Sequence, residues 1–132
     1  MSWVLDTSVA VGLLLEEDDE RGARRGLFRA EHPAIVPTLF IHEVTNSLVN
    51  AVRRTRVDPA RAHWLLRQLA SLPIEVDDRP TPASRIFELA MKHSLSAYDA
   101  CYLELAVSQS LPLATNDRAL TAAAKAEGVA IA

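Results

Sequence analysis

Four very short apolar runs, at residues 2–5, 34–36, 74–76 and 113–115, restrict this chain more than anything else in it. Each is too short for a helix, and the stretches between them carry helical periodicity. The first run stops at Asp6, the second at Pro37, and Pro73 and Pro112 introduce the third and fourth. Helices are expected over residues 7–17, 18–30, 38–54, 59–71, 81–93, 96–109 and 117–127, with Thr7 or Ser8 capping the first and Gly128 as the C′ residue of the last. Residues 129–131 suit a final edge strand. Short strands alternating with helices imply an α/β fold with a parallel sheet of four or five strands, covered on both faces. The 96–109 helix is apolar nearly all round and is expected to be buried.

At 132 residues the chain fits one domain, residues 1–132, and its 49% hydrophobic content suffices for a core. There is no repeat, low-complexity tract or linker. The single cysteine, Cys101, rules out an internal disulfide and a thiolate-built zinc site. No targeting or membrane-spanning run stands out, so a soluble, cytoplasmic protein is expected.

A parallel sheet gathers polar residues at one edge, because ligands bind beyond the carboxyl ends of its strands. Asp6 directly follows the first strand and Asp117 the fourth. Asp99 lies three residues after Ser96, near the start of the buried helix. Each has a simpler use as a helix cap or as a partner of the helix dipole. Glu43 lies on the 38–54 helix in a polar stripe with Asn46 and Asn50, opposite Phe40, Val44, Leu48 and Ala51, and periodicity alone leaves it in solvent. Taken together, the four acids carry more meaning. Several carboxylates at one edge cannot all stay ionised without a cation among them. Oxygen ligands of this kind suit Mg²⁺ or Mn²⁺.

The net charge of −3 argues against a nucleic-acid binder by itself. Arginines nevertheless cluster at 21, 24, 25 and 29 and at 53, 54 and 56, either as solvated helix faces or as a phosphate-contacting rim. The acidic run 16–20 reads as a solvated helix end, and Asp77 and Asp78 as loop residues. Glu104 is the second charge on the buried helix. Cys101, Trp3 and Trp64 are expected to pack. The four histidines show no ligand-like pairing.

Asp6-Thr7-Ser8 after the opening strand, Glu43 with Asn46, Tyr98-Asp99-Ala100 before Tyr102-Leu103, and Thr115-Asn116-Asp117 after Leu113-Ala114 together resemble the PIN-domain family. The likeness spans essentially the whole chain and is greatest to VapC-type toxins of toxin–antitoxin pairs. It implies a three-layer α/β/α sandwich and Mg²⁺- or Mn²⁺-dependent endonucleolytic cleavage of RNA. It makes Asp6, Glu43, Asp99 and Asp117 the catalytic, metal-binding acids, and Ser8, Asn46 and Thr115 their supports. It further implies a homodimer and a cognate antitoxin that inserts a basic side chain among the acids. Some relatives carry another acid beside the position of Asp117; here the neighbours are Asn116 and Arg118, leaving fewer ligands for a second ion. Two rival expectations are an aspartate-nucleophile phosphotransferase or phosphatase built on Asp6, and a non-catalytic interaction domain. The first lacks the second aspartate of the haloacid dehalogenase pattern, because Ser8 stands there. No GxGxxG or Walker A segment supports a nucleotide-binding module.

Overall fold

All four expected strands pair in parallel, in the order β3-β2-β1-β4. A computed structural model describes residues 1–15 and 26–132. The elements are β1 (Trp3–Leu5), α1 (Thr7–Leu14), β2 (Ala34–Val36), α2 (Phe40–Arg53), α3 (Pro59–Ala70), β3 (Ile74–Val76), α4 (Ala83–His93), α5 (Ala97–Gln109), β4 (Leu113–Ala114) and α6 (Arg118–Ala126). In register, Trp3 pairs with Ala34, Val4 with Leu113 and Ala34 with Ile74. The acidic run 16–20, the arginines at 21, 24 and 25, and the expected helix over most of 18–30 lie outside the described residues.

The chain runs outward from β1 to β2 to β3, then returns to place β4 on the other side of β1. Right-handed crossovers put helices on opposite faces when the direction reverses in this way. The packing agrees: α2 contacts α1 and α3, while α5 contacts α4 and α6. The result is a three-layer α/β/α arrangement, with its topological switch between β1 and β4.

The core runs through both faces of the sheet. Val4, Leu5, Leu103, Leu113 and Leu120 are wholly buried. Truncating one such leucine to alanine costs about 2–5 kcal/mol. Helix α5 buries Ala100, Tyr102, Leu103, Leu105 and Ala106, as its apolar circumference requires, yet Tyr98 in its first turn is 66% exposed. Trp3 packs edge-on against Phe28 and donates Nε1–H to Leu27 O. Trp64 differs from expectation: it is half-exposed beneath the Arg61 guanidinium.

Three boundaries depart from the sequence reading. Helix α1 ends at Leu14, and Asp6 rather than Thr7 or Ser8 occupies its N-cap position. Residues 129–131 do not form a full strand; Ile131 makes a single parallel bridge to Leu113. Asp117 is itself the N-cap of α6. Gly128 ends that helix with φ +75°, as a C′ glycine does.

Candidate active site at the β1–β4 switch

Asp6 leaves β1 in an extended conformation and enters α1 at its N-cap, yet its side chain makes no capping bond. Instead its Oδ2 accepts from Ser8 Oγ at 2.6 Å and from Thr115 Oγ1 at 2.7 Å. The backbone explains this posture, because the Asp6 N–H donates to Ala114 O and so keeps the residue in line with the sheet edge. Asp6 is 4% exposed. Burial raises its carboxyl above the ordinary aspartate range; the Ser8 and Thr115 hydroxyls pull it back, and the charge of Glu43 pushes it up again.

Glu43 turns inward, contrary to the periodicity argument. At 3.6 residues per turn, the centre of the Phe40–Val44–Leu48–Ala51 face lies roughly 95° from Glu43 and roughly 155° from Asn46. Glu43 therefore sits on the flank of the buried face, and Asn46 nearly opposite it. Glu43 Oε1 accepts from Tyr102 OH at 2.6 Å and from Thr7 Oγ1 at 2.9 Å, and the two hydroxyl oxygens are themselves 2.6 Å apart. Tyr102 is fully buried. Burial first, and then the bond to Glu43, raise its phenol far above the ordinary range, so it stays a protonated donor. Asn46 is exposed, and among the described residues no hydrogen bond ties it to the acids.

Asp99 is not the cap of α5. Ser96 caps that helix, its Oγ accepting from the Asp99 N–H at 3.1 Å. The Asp99 carboxyl is raised, by burial first and then by the charges of Asp6, Asp117 and Glu43. One side chain thus senses the other three acids. Asp117 does cap: its Oδ1 accepts from Leu120 N–H at 2.8 Å. Thr115 joins this residue to Asp6, since its Oγ1 also accepts from the Asp117 N–H. Asn116 donates its N–H to Ser8 Oγ at 2.9 Å and steadies the same group.

The donor set can be tested against a cation. As they stand, no three acidic, histidine or cysteine side chains among the described residues form a ready-made metal cage. One oxygen each of Asp6, Glu43 and Asp117 accepts from a protein donor. Glu43 Oε2 and Asp117 Oδ2 accept no hydrogen bond among the described residues. By its chemistry the set suits a hard divalent ion: every donor is a carboxylate oxygen, and the charges of Asp6, Glu43 and Asp117 all bear on Asp99.

Two other expectations resolve differently. Glu104, buried in α5, needs no metal: Arg79 Nη2 reaches its Oε2 at 3.1 Å while Arg79 Nε grips Asp77 at 3.0 Å. Asp77 is therefore an anchor for Arg79, whereas Asp78 is an exposed loop residue. Arg53, Arg54 and Arg56 are exposed at the far end of α2, about 15 Å along the helix from Glu43. They are too distant to rim the acids directly. Tyr102 and Thr7 are the supports that sequence reasoning missed. A buried tyrosine hydroxyl that must find a partner was the available signal.

A family model described as "PIN domain" matches residues 3–126. The "Ribonuclease VapC1" of Mycobacterium tuberculosis is 30% identical over 122 residues, covering 91% of this chain and 89% of that protein. The crystal structure of PAE2754 from Pyrobaculum aerophilum superposes with a TM-score of 0.70 at 30% identity, covering 93% of this chain and 86% of that one. The structure of VapBC2 from Rickettsia felis, bound to a DNA fragment from its promoter, shares the fold with a TM-score of 0.70 at 14% identity, covering 99% and 96%.

Proposed function

The chain belongs to the PIN-domain family, and from that premise we propose that it is a metal-dependent endoribonuclease, the toxin of a toxin–antitoxin pair. The observation that carries this reading is the bonded frame at the sheet's carboxyl edge, where Thr115 ties Asp6 Oδ2 to the Asp117 N–H while Tyr102 and Thr7 turn Glu43 inward. Helix capping explains only Asp117. Asp6 makes no capping bond, and Ser96 does that work in place of Asp99.

Asp6, Asp99 and Asp117 would hold Mg²⁺ or Mn²⁺, with Glu43 beside them. When bound, such an ion polarises the phosphoryl group and acidifies a water. The residues of the chain do the rest. Ser8 and Thr115 fix the Asp6 carboxylate so that it need not reorganise. Tyr102 and Thr7 hold Glu43 by Oε1, leaving Oε2 to take a proton from the water whose oxygen bonds to phosphorus; the old P–O bond breaks, and the expelled ribose oxygen takes a proton from solvent. The aspartate-nucleophile reading fits less well, because Asp6 is 4% exposed and two hydroxyls hold its Oδ2. A cognate antitoxin with a basic side chain suits the acidic pocket, and a homodimer is the proposed assembly. No helix among the described residues is long and apolar enough to cross a membrane.

The test is cleavage of a circular RNA, which only an endonuclease can open. Wild-type protein with Mg²⁺ or Mn²⁺ should linearise it, and chelator should stop it. The Asp6→Asn and Asp99→Asn variants should each be slower by on the order of a thousandfold, the loss of several kcal/mol of charge stabilisation. Wild-type rates in both variants would end the proposal.

A further inference from the structure

The acids occupy the β1–β4 half of the carboxyl edge. Beyond the other half, past β2 and β3, lies a cavity of about 250 Å³. Its walls include Pro37 and Leu39 from the turn leading into α2, Ile86 from α4, Tyr98 and Leu105 from α5, and Arg79. The two sites are neighbours by construction. Tyr98 precedes Asp99 in the chain, and Leu39 lies one helical turn before Glu43.

We propose that this cavity takes one nucleobase of the RNA strand, the base flanking the scissile bond, stacked on Tyr98 and read by Arg79. The inference rests on the ribonuclease reading above. Three observations select a base. Tyr98 is 66% exposed although aromatic, and single-stranded RNA is held by stacking unpaired bases on such rings. Arg79 is pinned by Asp77 and Glu104 through Nε and Nη2, while Nη1 has no bond among the described residues. A rigid N–H donor beside two carboxylate acceptors matches the mixed donor–acceptor edge that every base carries. Finally, one guanidinium between two carboxylates leaves the cavity net negative, which repels phosphate and accepts a neutral ring. The volume falls below that of pockets for larger ligands and suits a single ring system.

An abasic scan tests the assignment. RNAs lacking the base at each position around the cleavage site are cleaved by wild type, Tyr98→Ala and Tyr98→Phe. Tyr98 is exposed, so neither change threatens the fold. For wild type, kcat/KM should fall about tenfold or more at one flanking position, the worth of a stacked base. In Tyr98→Ala that abasic penalty should shrink to within about twofold, and Tyr98→Phe should retain it. Arg79→Lys, which keeps the charge facing Glu104, should weaken the preference among the four bases at that same position. An equal penalty in wild type and Tyr98→Ala, with cleavage intact, overturns the base site and leaves the ribonuclease standing. Failure of wild type to cleave any of the RNAs removes the ribonuclease reading, and this inference with it.

Discussion

Thr115 Oγ1 donates a 2.7 Å hydrogen bond to Asp6 Oδ2, so the residue that follows β4 fixes the acid that follows β1. The same oxygen accepts from the Asp117 N–H at 3.0 Å. One buried threonine thus orients two of the four acids across the topological switch, where the parallel sheet offers its binding crevice.

Replacing that hydroxyl tests its role. Thr115→Val keeps the shape but removes the donor to Asp6 and the acceptor for Asp117. Groups that orient metal ligands are worth about 10–100-fold in metal affinity or activity. Mn²⁺ affinity of Thr115→Val should fall in that range, while Thr115→Ser should recover most of it. Equal loss in both variants would point to packing rather than to the hydroxyl.

Tyr102→Phe removes a donor to Glu43 from a buried site. A protein hydrogen bond to a charged group contributes about 1.5–3 kcal/mol. Denaturant unfolding should show a loss of that order, and RNA cleavage should slow because Glu43 is no longer held. Unchanged cleavage together with lowered stability would remove Glu43 from the chemistry.

The pH dependence follows from the two raised carboxyls. Asp6 and Asp99 both lie above their ordinary value of 3.8 in the folded chain. From 3.8 upward to the folded values the native state holds more protons than the unfolded state. Their contribution to stability is therefore full below 3.8 and is lost as pH rises through that window. Glu127 acts in the opposite sense: Lys92, then His93, lower its carboxyl, so its stabilisation disappears on acidification. Thermal melts of metal-free protein against pH should show a flatter decline above 3.8 for Asp99→Asn than for wild type. A parallel slope would contradict the coupling.

Arg79 and Glu104 allow a stability prediction separate from catalysis. Removing one partner of a buried ion pair costs about 3–5 kcal/mol. Arg79 is 32% exposed, so Arg79→Met should sit at or below about 3 kcal/mol by chemical denaturation. Adding Glu104→Gln should return a large part of it. No recovery in the double variant would show that Arg79 stabilises by packing instead.

Much of this was legible in the sequence. Short apolar runs mark the four strands, and the parallel-sheet rule puts Asp6, Asp99 and Asp117 at one edge. Glu43 was harder. Treating Glu43, Asn46 and Asn50 as one stripe hid the fact that a helix flank can turn inward while its opposite side faces water. Asp117 could be read either as a cap or as a site acid, and it caps α6 with one oxygen. Local sequence cannot say which of Thr115, Asn116 and Asp117 bends back to the helix. The pairing of Arg79 with Glu104 spans 25 positions and two elements, and no local pattern encodes it.

The central claim is that Asp6, Asp99 and Asp117 hold one cation, with Glu43 beside it. Calorimetric titration of the purified protein with Mn²⁺ at neutral pH tests it most directly, alongside Asp99→Asn and Asp117→Asn. Asparagine caps a helix about as well as aspartate, so the Asp117 variant keeps its fold. The account predicts saturable binding by wild type and affinity at least about tenfold weaker in both variants. No saturable binding by wild type, or equal affinity in all three proteins, would contradict it.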